Sequence, residues 1–192
     1  MKIALVVALG MLGGCLWANP NSYMRTGIDL QGVAVGERGT HGANARALAD
    51  GAGVGVAVEV GERAVSRTGV GDPNDYTGAS IDFLLRVSLP GVMPTDHRLD
   101  RFFDFGVEGG GGGVVAFGVP PGVQGMGDAF IGGWVELGTV PVSGNHGWIA
   151  ITGSARSYGL DSGWDNQTVY TVAIGWRSRE KLTQHDAGSW HD

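Results

Sequence analysis

The sequence of 192 residues has one cysteine, Cys15, and only two lysines, Lys2 and Lys181. A lone cysteine has no partner within the chain, so no internal disulfide can staple the fold. Charged residues make up 17% of the chain, against ~25% in an ordinary domain, and a soluble surface normally carries more Lys and Glu than this. Net charge is −6 with no basic run, so nucleic acid is not expected as a partner. No stretch has convincing amphipathic helical periodicity. The apolar run Ile3–Leu12 is too short to cross a bilayer as a helix.

Glycine is abundant, at 36 of 192 residues, yet there is no G-x-y period to suggest collagen, and 43% hydrophobic content opposes wholesale disorder. The informative pattern is alternation. In Gly53–Glu62, Val54, Val56, Val58 and Val60 share one face of an extended chain, while Gly55, Ala57 and Glu59 share the other. In Ser80–Leu89, Ile81, Phe83, Leu85, Val87 and Leu89 oppose Asp82, Leu84, Arg86 and Ser88. Similar alternation predicts strands over 24–35, 101–108, 114–119, 129–140, 146–158 and 168–177, about eight in all.

Between these strands, 36–52 reads as a loop, 62–79 as a long connection with a short extra strand near Ala64–Thr68, and 90–100 as a loop. The five-glycine run Gly109–Gly113 reads as a turn, 120–128 and 159–167 as connections, and Pro141–Asn145 as a short link. If the N-terminus starts on the periplasmic side, 36–52, 90–100, 120–128 and 159–167 fall outside. The glycine run and Pro141–Asn145 then fall inside, and 62–79 fits this alternation poorly.

Charges fall mainly on the non-aliphatic faces: Arg25, Asp29, Glu59, Asp82, Arg86, Asp104, Glu108, Glu136, Arg156 and Arg177. These six acids and four bases could pair inside a narrow barrel. We take Asp29, Glu59, Asp82, Arg86, Asp104, Glu108, Glu136 and Arg156 as the candidate lumen network. The competing reading makes them the solvated face of a soluble sheet. Aromatics near strand ends (Phe103, Trp148, Tyr158, Tyr170 and Trp176) suggest interfacial girdles; in a soluble protein they would be core.

The whole region from 24 to 177 resembles the small eight-stranded outer-membrane β-barrels of bacteria. The resemblance rests on alternation and glycine content, and implies an all-β, antiparallel, up-and-down barrel in the outer membrane. Membrane lipid and the outer-membrane assembly machinery would be its partners. A departure is the polar tail 178–192 after Trp176, where such barrels usually end on an aromatic residue. The N-terminus, one lysine followed by an apolar run and Leu12-Gly13-Gly14-Cys15, resembles the lipobox of bacterial lipoproteins. That implies a signal peptide over 1–14, lipidation of Cys15, a linker over 15–23, and sorting to the outer membrane. An ordinary signal peptide cleaved after Ala18 is the alternative.

Three functional readings follow. The first is a non-enzymatic outer-membrane barrel with a structural or surface-contact role. The second is a periplasm-facing lipoprotein with a soluble β-sandwich or barrel, serving binding or envelope assembly. The third is a lipid-modifying enzyme, for which His41 or His97 with Ser157 are the candidates. No P-loop or G-x-S-x-G elbow is present, and the five histidines show no ligand spacing, so no cofactor or metal is expected.

Overall fold

In a computed structural model of the protein, residues 23–36, 40–51, 53–67, 76–89, 103–119, 122–143 and 147–181 are described. They form eight strands: β1 (Tyr23–Val35), β2 (Thr40–Gly51), β3 (Val54–Val65), β4 (Tyr76–Ser88), β5 (Phe103–Val119), β6 (Gly122–Ser143), β7 (Gly147–Leu160) and β8 (Gln167–Lys181). Each pairs antiparallel with its neighbours in sequence, and β8 pairs with β1, closing the barrel. The all-β, up-and-down, eight-stranded architecture expected from the alternation is the one observed.

The register gives the barrel its shape. Met24 pairs with Gly51, and the ladder continues through Val54, Val87, Val107, Gly133, Ala155 and Tyr170, returning to β1 at Ala34, ten residues further along. A stagger of this size over eight strands tilts them by about 40° and leaves a lumen just wide enough to be filled by side chains.

Strand alternation decides what fills it. Inward positions are odd-numbered on β1, β3 and β8 and even-numbered on β2 and on β4 to β7, and the outcome is uniform: charged and small residues turn inward and aliphatic residues outward. Ile28, Leu30, Phe83, Ile131, Val172 and Ile174 are all exposed, whereas Asp29, Glu59, Asp82, Glu108 and Arg156 are buried. The valine row that begins with Val54 faces outward, and its partners across the ladder are the alanines of β2 and Leu85, Phe83 and Ile81 of β4.

Several sequence expectations are corrected. The region 36–52 is largely a strand, β2. Its outward positions are Ala43, Ala45, Ala47 and Ala49, too weakly apolar beside Gly, His and Asn to stand out as a face. The glycine run Gly109–Gly113 is the middle of β5, so 101–108 and 114–119 belong to one strand. One strand missed and one split in two left the total at eight. The glycines are there for space. Outward Gly111 and Gly109 lie across from Phe83 and Leu85, and a Cβ on inward Gly110 or Gly112 would strike the β4 backbone.

The connections move accordingly. Residues 122–128 are strand, β3 extends to Val65, and the extra strand near Ala64–Thr68 reduces to that extension plus an isolated bridge from Arg67 to Trp164. The 89–102 connection lies at the end that holds the first residue of β1 and the last of β8, opposite to the side expected for 90–100. The connection between β3 and β4 joins the other end, which removes the poor fit of 62–79. Trp148 and Tyr158, expected in outer girdles, are buried in the lumen, while Phe103, Tyr170 and Trp176 face outward. Cys15, the signal segment, His97 and the tail beyond Lys181 lie outside the described residues.

Candidate functional site

The candidate site is the charged interior, built where arginines from one wall reach carboxylates on another. At the end near the termini, Arg25 on β1 donates through Nε to both oxygens of Asp50, at 2.8 and 3.0 Å. Its other nitrogens reach Asp104 on β5 at 3.0 Å and Glu136 on β6 at 3.4 Å. Ser88 donates its hydroxyl to Asp104 at 2.6 Å. Arg177 on β8 forks onto Glu136, with Nη2 at 2.6 Å, and also holds Asp29. Thr152 sits between them, donating to Glu136 at 3.0 Å and accepting from Arg177 at 3.2 Å.

In the middle of the lumen, Arg46 on β2 donates to Asp29 at 2.7 Å and lies 3.6 Å from Glu59. Arg156 on β7 crosses to Glu59 on β3, diametrically opposite in an eight-membered ring, at 2.5 and 2.8 Å. The same guanidinium donates to Glu108 on β5 at 2.6 Å. Gln31 adds a donor to Glu59 at 2.9 Å. Arg86 pairs with Glu108 at 3.2 Å and lies over the Trp134 ring, 3.9 Å from its centre.

Towards the far end, the Tyr158 hydroxyl accepts from Arg156 at 3.3 Å and donates to Asp82 at 3.2 Å. Arg63 lies over the Tyr158 ring and bridges Asp82, at 3.5 Å, and Asp128. Beyond this the ion-paired network gives way to apolar packing, edged by Gln167, which donates to the Ala64 carbonyl at 2.9 Å, and by Arg67, which donates to Gln124 at 3.1 Å. Val65, Val114, Ala116, Val119 and Met126 form an apolar plug, with Tyr76, Leu160 and Trp164 packed against it.

All eight residues taken from the sequence as the lumen network are therefore buried and joined in one chain of contacts. Arg25 and Arg177, read on the same face, belong to it. The sequence reading lacked Arg46, Arg63, Asp50 and Asp128, which fall in segments taken for loops. Their addition gives six arginines and eight acids among the described residues. The available signal was the period-two order of Asn44, Arg46, Leu48 and Asp50 against four alanines.

Inward glycines make room for these large side chains. A Cβ on Gly27 would meet Arg177, one on Gly132 would meet Arg156, and one on Gly175 would collide with the Asp29 carboxylate. Every acid in the network accepts from, or pairs with, an arginine. The arrangement thus fills and cross-braces the lumen, and it offers no activated nucleophile. Among the described residues no group of three or more His, Cys, Asp or Glu is placed to hold a metal ion. His41 lies on β2 and Ser157 on β7, with β8 and β1 between these strands, three strand spacings or about 14 Å along the wall, and Ser157 faces outward.

A closed eight-stranded barrel with an ion-paired interior and an aliphatic exterior is the inverse of a soluble protein. No protein-family model matches the sequence, and no curated protein matches it. Among solved structures, the chain is similar to Neisserial surface protein A, with a TM-score of 0.52, 10% identity, and coverage of 82% of this chain and 96% of that one. It also matches the N-terminal β-barrel domain of Pseudomonas aeruginosa OprF, with a TM-score of 0.49, 15% identity, and coverage of 82% and 97%. At 10% identity the likeness to Neisserial surface protein A is one of fold.

Proposed function

We propose that the protein is an integral outer-membrane barrel of the cell envelope, structural or surface-contacting rather than catalytic. The observation that carries this reading is the belt of exposed aliphatic and aromatic side chains. It includes Ile28 and Leu30 of β1, Val56–Val60 of β3, Ile81–Leu85 of β4 and Val172–Trp176 of β8. No charged residue occupies an outward position between Val54 and Val60, or between Tyr170 and Trp176. About ten residues of strand at this tilt span about 25 Å, the height of the apolar band on membrane barrels. In water such a belt would far exceed the few hundred Å² of contiguous apolar surface that a soluble monomer tolerates.

In this reading the lumen network seals the barrel, so it conducts no solute, and its partners are membrane lipid and the machinery that inserts it. The chain termini face the periplasm, with Cys15 as a lipid tether. The connections 36–39, 66–75, 120–121 and 161–166 face outward and supply any surface contact.

The test compares wild type with Cys15→Ser in separated envelope membranes. Both are expected in the outer membrane, resistant to carbonate extraction, and faster on gels when unboiled. If Cys15→Ser is instead a freely soluble periplasmic protein, the chain is a tethered soluble barrel and the proposal fails.

A further inference from the structure

The apolar wall is not level. The β4–β5 ladder stops at Gly78↔Ala116 and the β6–β7 ladder at Asp128↔Leu160, yet β5 and β6 continue pairing to Val119↔Gly122. A bulge after Ala116, with Gly118 at φ +76°, turns the hairpin as it leaves the wall. The projecting hairpin has two apolar faces. Val114, Ala116, Val119 and Met126 turn inward and are spent on the plug. Val115, Phe117 and Val123 turn outward and are 43%, 50% and 64% exposed. The outward positions of the hairpin are otherwise glycine, with no charge from Gly113 to Phe117 or from Val123 to Gly127. On walls away from the hairpin, polar residues appear at the rim: outward Glu62 on β3 and Thr168 on β8.

We infer that the outer face of this hairpin is a lipid-contact surface, embedded in the acyl region of the leaflet at the end away from the termini. The barrel is thereby held tilted towards β5 and β6. This rests on the membrane reading above and deepens it. Two observations favour lipid over a protein partner. Along β5 the face continues the belt through Gly111 and Gly113, and on β6 it is bounded on the β7 side by the exposed Asp161 carboxylate, which accepts from the Gly127 N–H at 2.6 Å. Its three side chains expose roughly 250 Å², well short of the about 800 Å² per partner that a stable protein interface buries. Uneven apolar height around a rigid span is relieved by tilt or by local thickening of the bilayer, which is the mechanical consequence here.

Spin labels at single cysteines, introduced in a Cys15→Ser background and reconstituted in phosphatidylcholine vesicles, test this. Labels at Phe117 and Val123 are expected to collide with dissolved oxygen and to lose collision with an aqueous nickel chelate, as labels at Val58 and Ile174 do. Labels at Glu62 and Thr168 are expected to keep nickel contact. If Phe117 and Val123 behave like Glu62 while Val58 and Ile174 remain lipid-exposed, the hairpin is aqueous and this inference alone fails. If Glu62 and Thr168 also lose nickel contact, the belt is level and the tilt is refuted. If Val58 and Ile174 are themselves aqueous, the membrane reading falls. Gel mobility before boiling verifies that each labelled variant is folded. Phe117→Trp with brominated lipid repeats the measurement without a label, quenching of the added tryptophan beyond that of the native ones, belt residue Trp176 among them, being expected and its absence refuting.

Discussion

Replacing Arg156 by methionine removes the one cation that spans the lumen from β7 to β3. Methionine keeps the apolar stem and loses four hydrogen bonds from the guanidinium, two to Glu59, one to Glu108 and one to the Tyr158 hydroxyl. Glu59 would keep Gln31 at 2.9 Å and a looser Arg46 at 3.6 Å, and Glu108 would keep Arg86 at 3.2 Å. Both carboxylates are almost wholly buried, so each would carry charge it cannot solvate. Breaking one side of a buried ion pair costs about 3–5 kcal/mol, and that is the expected loss for Arg156→Met. The assay is reversible urea unfolding in lipid vesicles, followed by tryptophan fluorescence and by gel mobility. Glu59→Gln on the Arg156→Met background removes one stranded charge, so the double variant should fall short of the sum of the singles by about 1–3 kcal/mol. A loss under about 1 kcal/mol for Arg156→Met in a folded barrel would refute the reasoning, because the carboxylates would then have to be hydrated by an open lumen.

Other perturbations separate the parts of the fold. Gly175→Ala drives a Cβ into the Asp29 carboxylate and the Ile28 carbonyl, and should cost about 1–3 kcal/mol in the same unfolding assay. Gly125→Ala, with nothing within 4 Å of the added Cβ, should stay within about 0.5 kcal/mol of wild type. Val58→Arg places a guanidinium in the outward belt, and should lower stability in vesicles by about 2–4 kcal/mol if the belt faces lipid. Tyr158→Phe removes the hydroxyl that links Arg156 to Asp82, and should cost about 1 kcal/mol with no change in gel mobility.

How far the sequence was readable depended on side-chain contrast rather than on secondary structure as such. Ser80–Leu89 shows large aliphatics against charges, and Tyr76–Ser88 is β4. The alternation in 40–51 is equally regular, but alanine is apolar enough for a lipid-facing wall and not enough to stand out beside glycine. Arg46 and Asp50 were lost with it. Glycine misled for a related reason. In a soluble domain it marks turns; in this narrow barrel it makes room for large side chains and neighbouring backbone, as Gly110 and Gly112 do beside β4. The aromatic residues could not be sorted by position along a strand. Trp148 and Tyr158 turn inward by parity alone, one into the terminal end of the lumen and one onto Arg63.

A charged interior has a cost, since a well-packed apolar core of the same volume is often at least as stable as buried ion pairs. It also fixes register. With lipid outside, an apolar lumen would make the two faces of each strand interchangeable, and a slip of one residue, which exchanges every inward side chain for an outward one, would meet little resistance. In β4 such a slip would carry Asp82 and Arg86 to the exterior and draw Ile81, Phe83 and Leu85 inside. An arginine at mid-bilayer alone costs about 2–4 kcal/mol. The strand that most needs this is β5, whose central Gly109–Gly113 makes no distinction between in and out. Its register depends on the residues that flank the glycines. Asp104 and Glu108 bind Arg25, Arg86 and Arg156 on one side, and Val114 and Ala116 seat in the apolar plug on the other. The network is therefore better understood as what selects one pairing among several than as a source of net stability.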